Sequence, residues 1–179
     1  MRAPMVASTP PIPGATTPMT SPLVSILMGS RSDLDVMQAA RDVLDSIAVP
    51  CDMRVISAHR NLDRLMEWIG EAEGKGVRVF IAGAGGAAHL PGVIAARTLL
   101  PVLGVPLPGM GLMGLDALLS IVQMPSGIPV GTFAIGKAGA ANAGWMAAAI
   151  LAGSDSGIAS RLADSRKKRQ KDALAGELP

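Results

Sequence analysis

The chain has two histidines, and each sits in a short polar loop that follows an apolar run. His59 lies in SAHR (Ser57 to Arg60) after CDMRVI, and His89 closes GAGGAAH (Gly83 to His89) after VRVFIA. A third loop of this kind, GSRSD (Gly29 to Asp33), follows LVSILM. Imidazole exchanges protons near neutral pH with the least adjustment, so each histidine is a candidate acid or base. Arg60 offers a planar fork suited to phosphate, and Ser57 adds a hydroxyl beside it. Gly29 permits a sharp turn, and Ser30 and Ser32 place hydroxyls near the free N–H groups of the next helix, a ready anion site. Asp33 would repel a phosphate but suits ribose hydroxyls or the helix end itself. Alone, Ser32 and Asp33 read as a helix cap. Beside SAHR, they point to a phosphorylated small molecule.

Two further stretches imitate nucleotide motifs. IAGAGGAAHLPG (Ile81 to Gly92) satisfies G-x-G-x-x-G/A at Gly83, Gly85 and Ala88. A dinucleotide fingerprint follows the first strand and is answered by an acid about 20 residues on. Here the loop follows the third apolar run, and no Asp or Glu occurs between Lys75 and Leu115. The stretch reads instead as a loop of small residues that lets a flat ring approach the backbone, with His89 at its end. GTFAIGKA (Gly131 to Ala138) nearly matches a phosphate loop, but Ala138 stands where the Mg²⁺-binding hydroxyl belongs, and TFAI reads as strand. ATP hydrolysis is not supported.

The elements that must position these loops alternate. After LVSILM, the residues Val36, Ala40, Val43, Leu44 and Ile47 share one helical face, and Pro50 stops it. CDMRVI is followed by a helix with Leu62, Leu65, Met66 and Ile69 on one face and Gly74 and Gly76 past its end. VRVFIA leads into a helix reaching about Leu100, PVLGVPL into a Gly-rich loop and a short helix from about Asp116, and PVGTFAI into an Ala-rich helical segment. Strands alternating with helices predict an α/β fold, a three-layer flavodoxin-like sandwich around a five-stranded parallel sheet. Ligands of such sheets bind outside the carboxyl ends of the strands, where all three loops fall. Residues 1–22 read as a disordered Pro-rich extension, 23–153 as the catalytic domain and 154–179 as a C-terminal helical segment and tail. The Ala-rich segment is apolar nearly all round, which predicts burial on several sides. Packing of the C-terminal helices in an oligomer is preferred over complete burial inside one subunit.

Composition narrows the function. At 179 residues the chain suits one domain with a real core, and its low aromatic content of 2% implies close backbone approach. Arg161 to Lys171 holds six of the sixteen basic residues and one of the fourteen acids, leaving ten basic against thirteen acidic elsewhere. The pI near 9.0 thus comes from one short basic helix, a solvated surface without the interleaved aromatics of a nucleic-acid site. The lone Cys51 allows no internal disulfide, and one Cys with two His is too few soft ligands for an ordinary zinc site. The longest apolar stretch, Ala143 to Gly153, is shorter than the ~18 residues of a membrane span. A cytoplasmic protein without membrane or nucleic-acid partners is expected.

MGSRSD, SAHR, AGAGGAAHLPG, PVLGVP, SIVQMPSGIPVGT and IGKAGAANA, in this order from about Val24 to Ala152, resemble the N5-carboxyaminoimidazole ribonucleotide mutase family of purine biosynthesis. The resemblance implies a compact homo-octamer with active sites at subunit junctions. It implies transfer of a carboxyl group from the exocyclic amine of the imidazole to ring carbon C4, without ATP, biotin, metal or other cofactor. Carried over by residue, Ser30, Ser32, Ser57 and Arg60 would hold the phosphate and Asp33 the ribose. Gly85, Gly86 and Ala87 would line the imidazole and CO₂ pocket beside His59, with Leu90 among the substrate-binding positions. His59 and His89 would be catalytic, with His89 as the proton shuttle.

Departures from the family pattern are Leu34 for an aromatic residue, Asn61-Leu62 for Thr-Pro, and Pro108-Gly109 for polar residues. They bear on loop fit and leave the catalytic positions in place. Direct carboxylation of aminoimidazole ribonucleotide with CO₂ and a silent nucleotide-binding module are the alternatives. A dehydrogenase reading lacks its acid.

Overall fold

A computed structural model describes residues 21–109 and 111–176; most of the Pro-rich extension and the last three residues lie outside it. Five strands form one parallel sheet: β1 (Val24–Met28), β2 (Cys51–Val55), β3 (Val79–Ala84), β4 (Val102–Pro106) and β5 (Gly131–Thr132), in the order β2-β1-β3-β4-β5. Between and after them run α1 (Leu34–Ser46), α2 (Leu62–Gly74), α3 (His89–Ala95), α4 (Leu115–Val122), α5 (Lys137–Ala152) and α6 (Ser156–Ala175). Every residue of β1, β3 and β4 is buried, because helices cover both sheet faces. Successive side chains alternate between them: Ile26, Ile81 and Val105 join α1 and α5 in one core, while Leu27, Phe80 and Ala82 join α2, α3 and α4 in the other. The expected three-layer flavodoxin-like sandwich is present.

Two elements are shorter than the sequence suggests. PVGTFAI pairs with β4 only at Gly131 and Thr132. The Phe133 N–H still donates to the Gly104 carbonyl (3.0 Å), but the next β4 residue facing this edge is Pro106, which has no N–H. The chain then turns, and Gly136 donates to the Pro106 carbonyl (2.9 Å). Helix α3 stops at Ala95 rather than near Leu100. Thr98 accepts from the Leu100 N–H through its hydroxyl (3.1 Å), and Pro101 pushes Leu100 out of helical backbone.

The Ala-rich helix is neither wholly covered nor wholly free. Ala140, Ala143, Ala147, Ala148 and Leu151 are buried against α1 and the sheet, whereas Asn142, Met146, Ala149 and Ile150 form an exposed stripe. Complete burial inside one chain is therefore not what the fold achieves. Close approach of α5 to α1 depends on Gly144, where an added Cβ would lie 2.8 Å from the Ala40 carbonyl oxygen and 3.1 Å from Val43. Gly144→Ala gains about 1 kcal/mol of helix propensity. Overpacking costs about 1–3 kcal/mol, and here backbone must move. A net loss of up to about 2 kcal/mol is expected, read as a lower urea midpoint at unchanged slope.

Beyond α5, the basic helix α6 is tied down at its start. Ile158 is buried, and Arg161 donates to the Ile47 carbonyl (2.8 Å). Its charged residues are exposed, with the Arg169 guanidinium 3.7 Å from the centre of the Trp145 ring. The other tryptophan, Trp68, is buried and donates to the Ser25 hydroxyl (3.2 Å). Cys51 opens β2 half-buried, and burial, with Asp45 adding to it, pushes its thiol up to about 11. It stays protonated and offers no thiolate near neutral pH. Among the described residues no helix is long and apolar enough to cross a membrane.

Candidate active site

Strands β2, β1 and β3 are neighbours, so the three polar loops at their carboxyl ends meet although 23 and 22 residues separate each from the next. Together they wall a cleft of about 430 Å³, lined by Gly29, Ser30 and Asp33 from the first loop and Ser57, His59 and Arg60 from the second. Ala84, Gly85, Ala88, His89 and Leu90 close it from the third.

The first loop is organised by its own side chains. Ser30 accepts from the Ser32 N–H (3.3 Å) and its hydroxyl accepts from that of Ser32 (2.8 Å), while the Ser30 N–H donates to the Asp33 carboxylate (3.0 Å). This reciprocal capping box holds a 3₁₀ turn, Arg31–Asp33, in front of α1. Capping and ligand binding are thus not alternatives here, since the cap sets the conformation that presents Ser30 to the cleft. In the second loop, Asn61 caps α2 by accepting from the Arg64 N–H (3.3 Å), which gives the departure at Asn61 a structural role. The Arg60 guanidinium donates to the Gly29 carbonyl (2.9 Å) and so ties this loop to the first.

The third loop leaves β3 through Gly85 and turns left-handed at Gly86 (φ 60°) and again at Ala88 (φ 45°). Gly83, the first residue of the apparent dinucleotide fingerprint, lies inside β3. A Cβ there would meet Met37 Sδ at 2.3 Å, so this glycine serves packing between α1 and the sheet rather than a phosphate turn. His89 begins α3, and its Nδ1 lies 2.6 Å from Nε2 of His59, with the rings edge to face. At that distance one nitrogen must carry the proton and the other the lone pair. The two histidines are therefore one proton-sharing unit, both exposed to the cleft.

Of the positions singled out in the sequence, Ser30, Asp33, Ser57, His59, Arg60, Gly85, His89 and Leu90 line the cleft. Ser32, Gly86 and Ala87 do not: Ser32 braces Ser30, Gly86 makes the turn, and Ala87 is exposed beside it. Sequence reasoning missed the contribution of Gly29, Ala58, Ala84 and Ala88 to the walls. Lys137, of the false phosphate loop, pairs with Asp35 (2.9 Å) at the start of α5. No group of three or more His, Cys, Asp or Glu side chains among the described residues could hold a metal ion.

Known proteins resemble the chain over most of its length. The chain is 52% identical to N5-carboxyaminoimidazole ribonucleotide mutase of Bacillus subtilis (strain 168), over 86% of its own length and 94% of that protein. It is 54% identical to the protein of the same name in Escherichia coli (strain K12), over 87% and 92%. The bifunctional purine synthesis protein purC/E of Dictyostelium discoideum matches 93% of the chain at 52% identity, but the chain spans only 16% of that longer protein. The crystal structure of Treponema denticola PurE superposes with a TM-score of 0.78 at 26% identity, covering 86% of this chain and 95% of that one. The AIR carboxylase family model matches residues 23–172, which include every strand, all three loops and both histidines, and the chain belongs to that family.

Proposed function

We propose that the chain is an N5-carboxyaminoimidazole ribonucleotide mutase of purine biosynthesis, an isomerase that moves a carboxyl group from the exocyclic nitrogen to C4. The observation that carries this reading is the convergence in one cleft of phosphate-binding groups with a histidine pair. Ser30, Ser57 and Arg60 bind the phosphate, and Asp33 meets the ribose while bracing its loop. The imidazole then lies along Gly85 and Leu90 toward His59 and His89.

A proton from the pair goes to the carbamate nitrogen, and the N–C bond breaks to release CO₂. The freed electron density makes C4 of the aminoimidazole nucleophilic. C4 attacks the retained CO₂, and its proton returns to the pair. Each turnover thus starts and ends with the same protonation state. CO₂ has to be held close and dry between the two halves. In the single chain both rings and Gly85 are exposed. We therefore propose a cytoplasmic homo-octamer that closes the sites, supported by the exposed Leu115, Leu119 and Val122 of α4 and Met146 and Ile150 of α5.

The test supplies fresh N5-carboxyaminoimidazole ribonucleotide without ATP, metal or bicarbonate and follows the C4-carboxylated product by absorbance. Rapid conversion is expected. Rapid product only from aminoimidazole ribonucleotide plus bicarbonate would make the protein a direct carboxylase, and binding without turnover a silent module.

A further inference from the structure

Three residues other than glycine have left-handed backbone among the described residues: Ala48 (φ 51°), Ala88 (φ 45°) and Met113 (φ 52°). Ala48 and Met113 are exposed, whereas Ala88 is 4% exposed and belongs to the core beneath α3. Two residues earlier the same loop makes the same turn at Gly86, where the chain does use glycine. Glycine adopts this conformation freely and alanine at a cost. At position 88, therefore, the methyl group has a use that offsets the strain.

That use follows from its neighbours. Ala88 immediately precedes His89, and no side chain caps α3 at this end. Ala88 and His89 both line the substrate cleft and also a second, apolar cavity of about 290 Å³ closed by Val93, Ile121 and Met124. The two residues are thus the partition between the cavities, with free space on either side into which a less constrained His89 could swing. Besides the two histidines, the titratable groups lining the cleft are Asp33 and Arg60, and the second cavity has none besides His89.

We infer that Ala88 is a positioning residue: its buried methyl group fixes the left-handed peptide that aims Nδ1 of His89 at Nε2 of His59. A glycine would satisfy the backbone yet free the ring. The consequence for turnover rests on the proton role proposed above for the pair; the geometry itself does not.

The test compares wild type with Ala88→Gly, Ala88→Ser and, as a remote left-handed control, Ala48→Gly. The hydrogen bond between the rings is followed at one fixed pH by NMR, as the nitrogen–nitrogen coupling across it, and kcat, KM and melting midpoints are measured. In wild type a single proton held between Nε2 of His59 and Nδ1 of His89 is expected to couple the two nitrogens. In Ala88→Gly that coupling is expected to be lost, with an unreduced melting midpoint, an unchanged KM and a kcat lower by about tenfold to a hundredfold. Ala88→Ser, which keeps the Cβ, restores coupling, and Ala48→Gly changes neither coupling nor kcat. An intact ring-to-ring coupling at wild-type kcat in Ala88→Gly overturns the inference. Lost coupling at unchanged kcat leaves the positioning in place and removes the pair from the proton step.

Discussion

Replacing either histidine by Asn is expected to leave nucleotide binding within a few-fold and to cut turnover. The two rings share a proton at 2.6 Å, so each loses its partner when the other is removed. General acid–base catalysis contributes about 10²–10⁴-fold, and the ring that meets the substrate should lose that much. The family resemblance implies this part for His89. The second ring only relays or orients, so its loss is expected to cost about tenfold or more. Because the pair acts as a unit, His59→Asn combined with His89→Asn should be no worse than the larger single change. Steady-state rates on all three variants, with binding measured calorimetrically, decide the matter. Near-normal turnover in either single variant would break the pair apart, and additive losses would mean two independent steps.

Arg60→Ala should show the opposite split. A hydrogen bond to a charged group contributes about 1.5–3 kcal/mol, so KM is expected to rise roughly 10- to 150-fold while kcat changes little. Arg60→Lys should not restore it, because the guanidinium has a fork to use: one nitrogen is committed to the Gly29 carbonyl while the residue also lines the cleft. An ammonium could tie the loops or meet the anion, but not both in this geometry. The control is a riboside lacking the phosphate, which wild type and variant should bind equally weakly. If the variant also loses affinity for the riboside, Arg60 acts by holding the two loops together rather than by meeting phosphate.

Much of this was written in local pattern. Apolar runs broken by GSRSD, SAHR and GAGGAAH place the strands and their loops, because strand ends and helix starts carry short-range chemical marks. What the pattern does not carry depends on partners distant in sequence. PVGTFAI has a strand's composition, but its length in the sheet is decided by Pro106 on its neighbour. Gly83 reads as a nucleotide glycine until Met37 is seen packed over it. His59 and His89 stand 30 residues apart, and only the order β2-β1-β3 turns two isolated loop histidines into a bonded pair. The left-handed Ala88 was invisible for a different reason. Residue type announces such a turn when glycine makes it, and alanine gives no sign.

The placement of the two tryptophans, in a chain without tyrosine, also makes the protein its own two-channel optical instrument. Trp68, buried, bonded to Ser25 and overlaid by Arg54, Arg64 and Lys75, is expected to report the parting of the sheet and α2. Trp145 lies at the seam between α5 and α6 under the Arg169 guanidinium, so its emission answers to the seating of the last helix. Removing one indole at a time separates the two signals. A denaturant titration could then report loss of the C-terminal helix and collapse of the catalytic fold as distinct events, without attaching any dye.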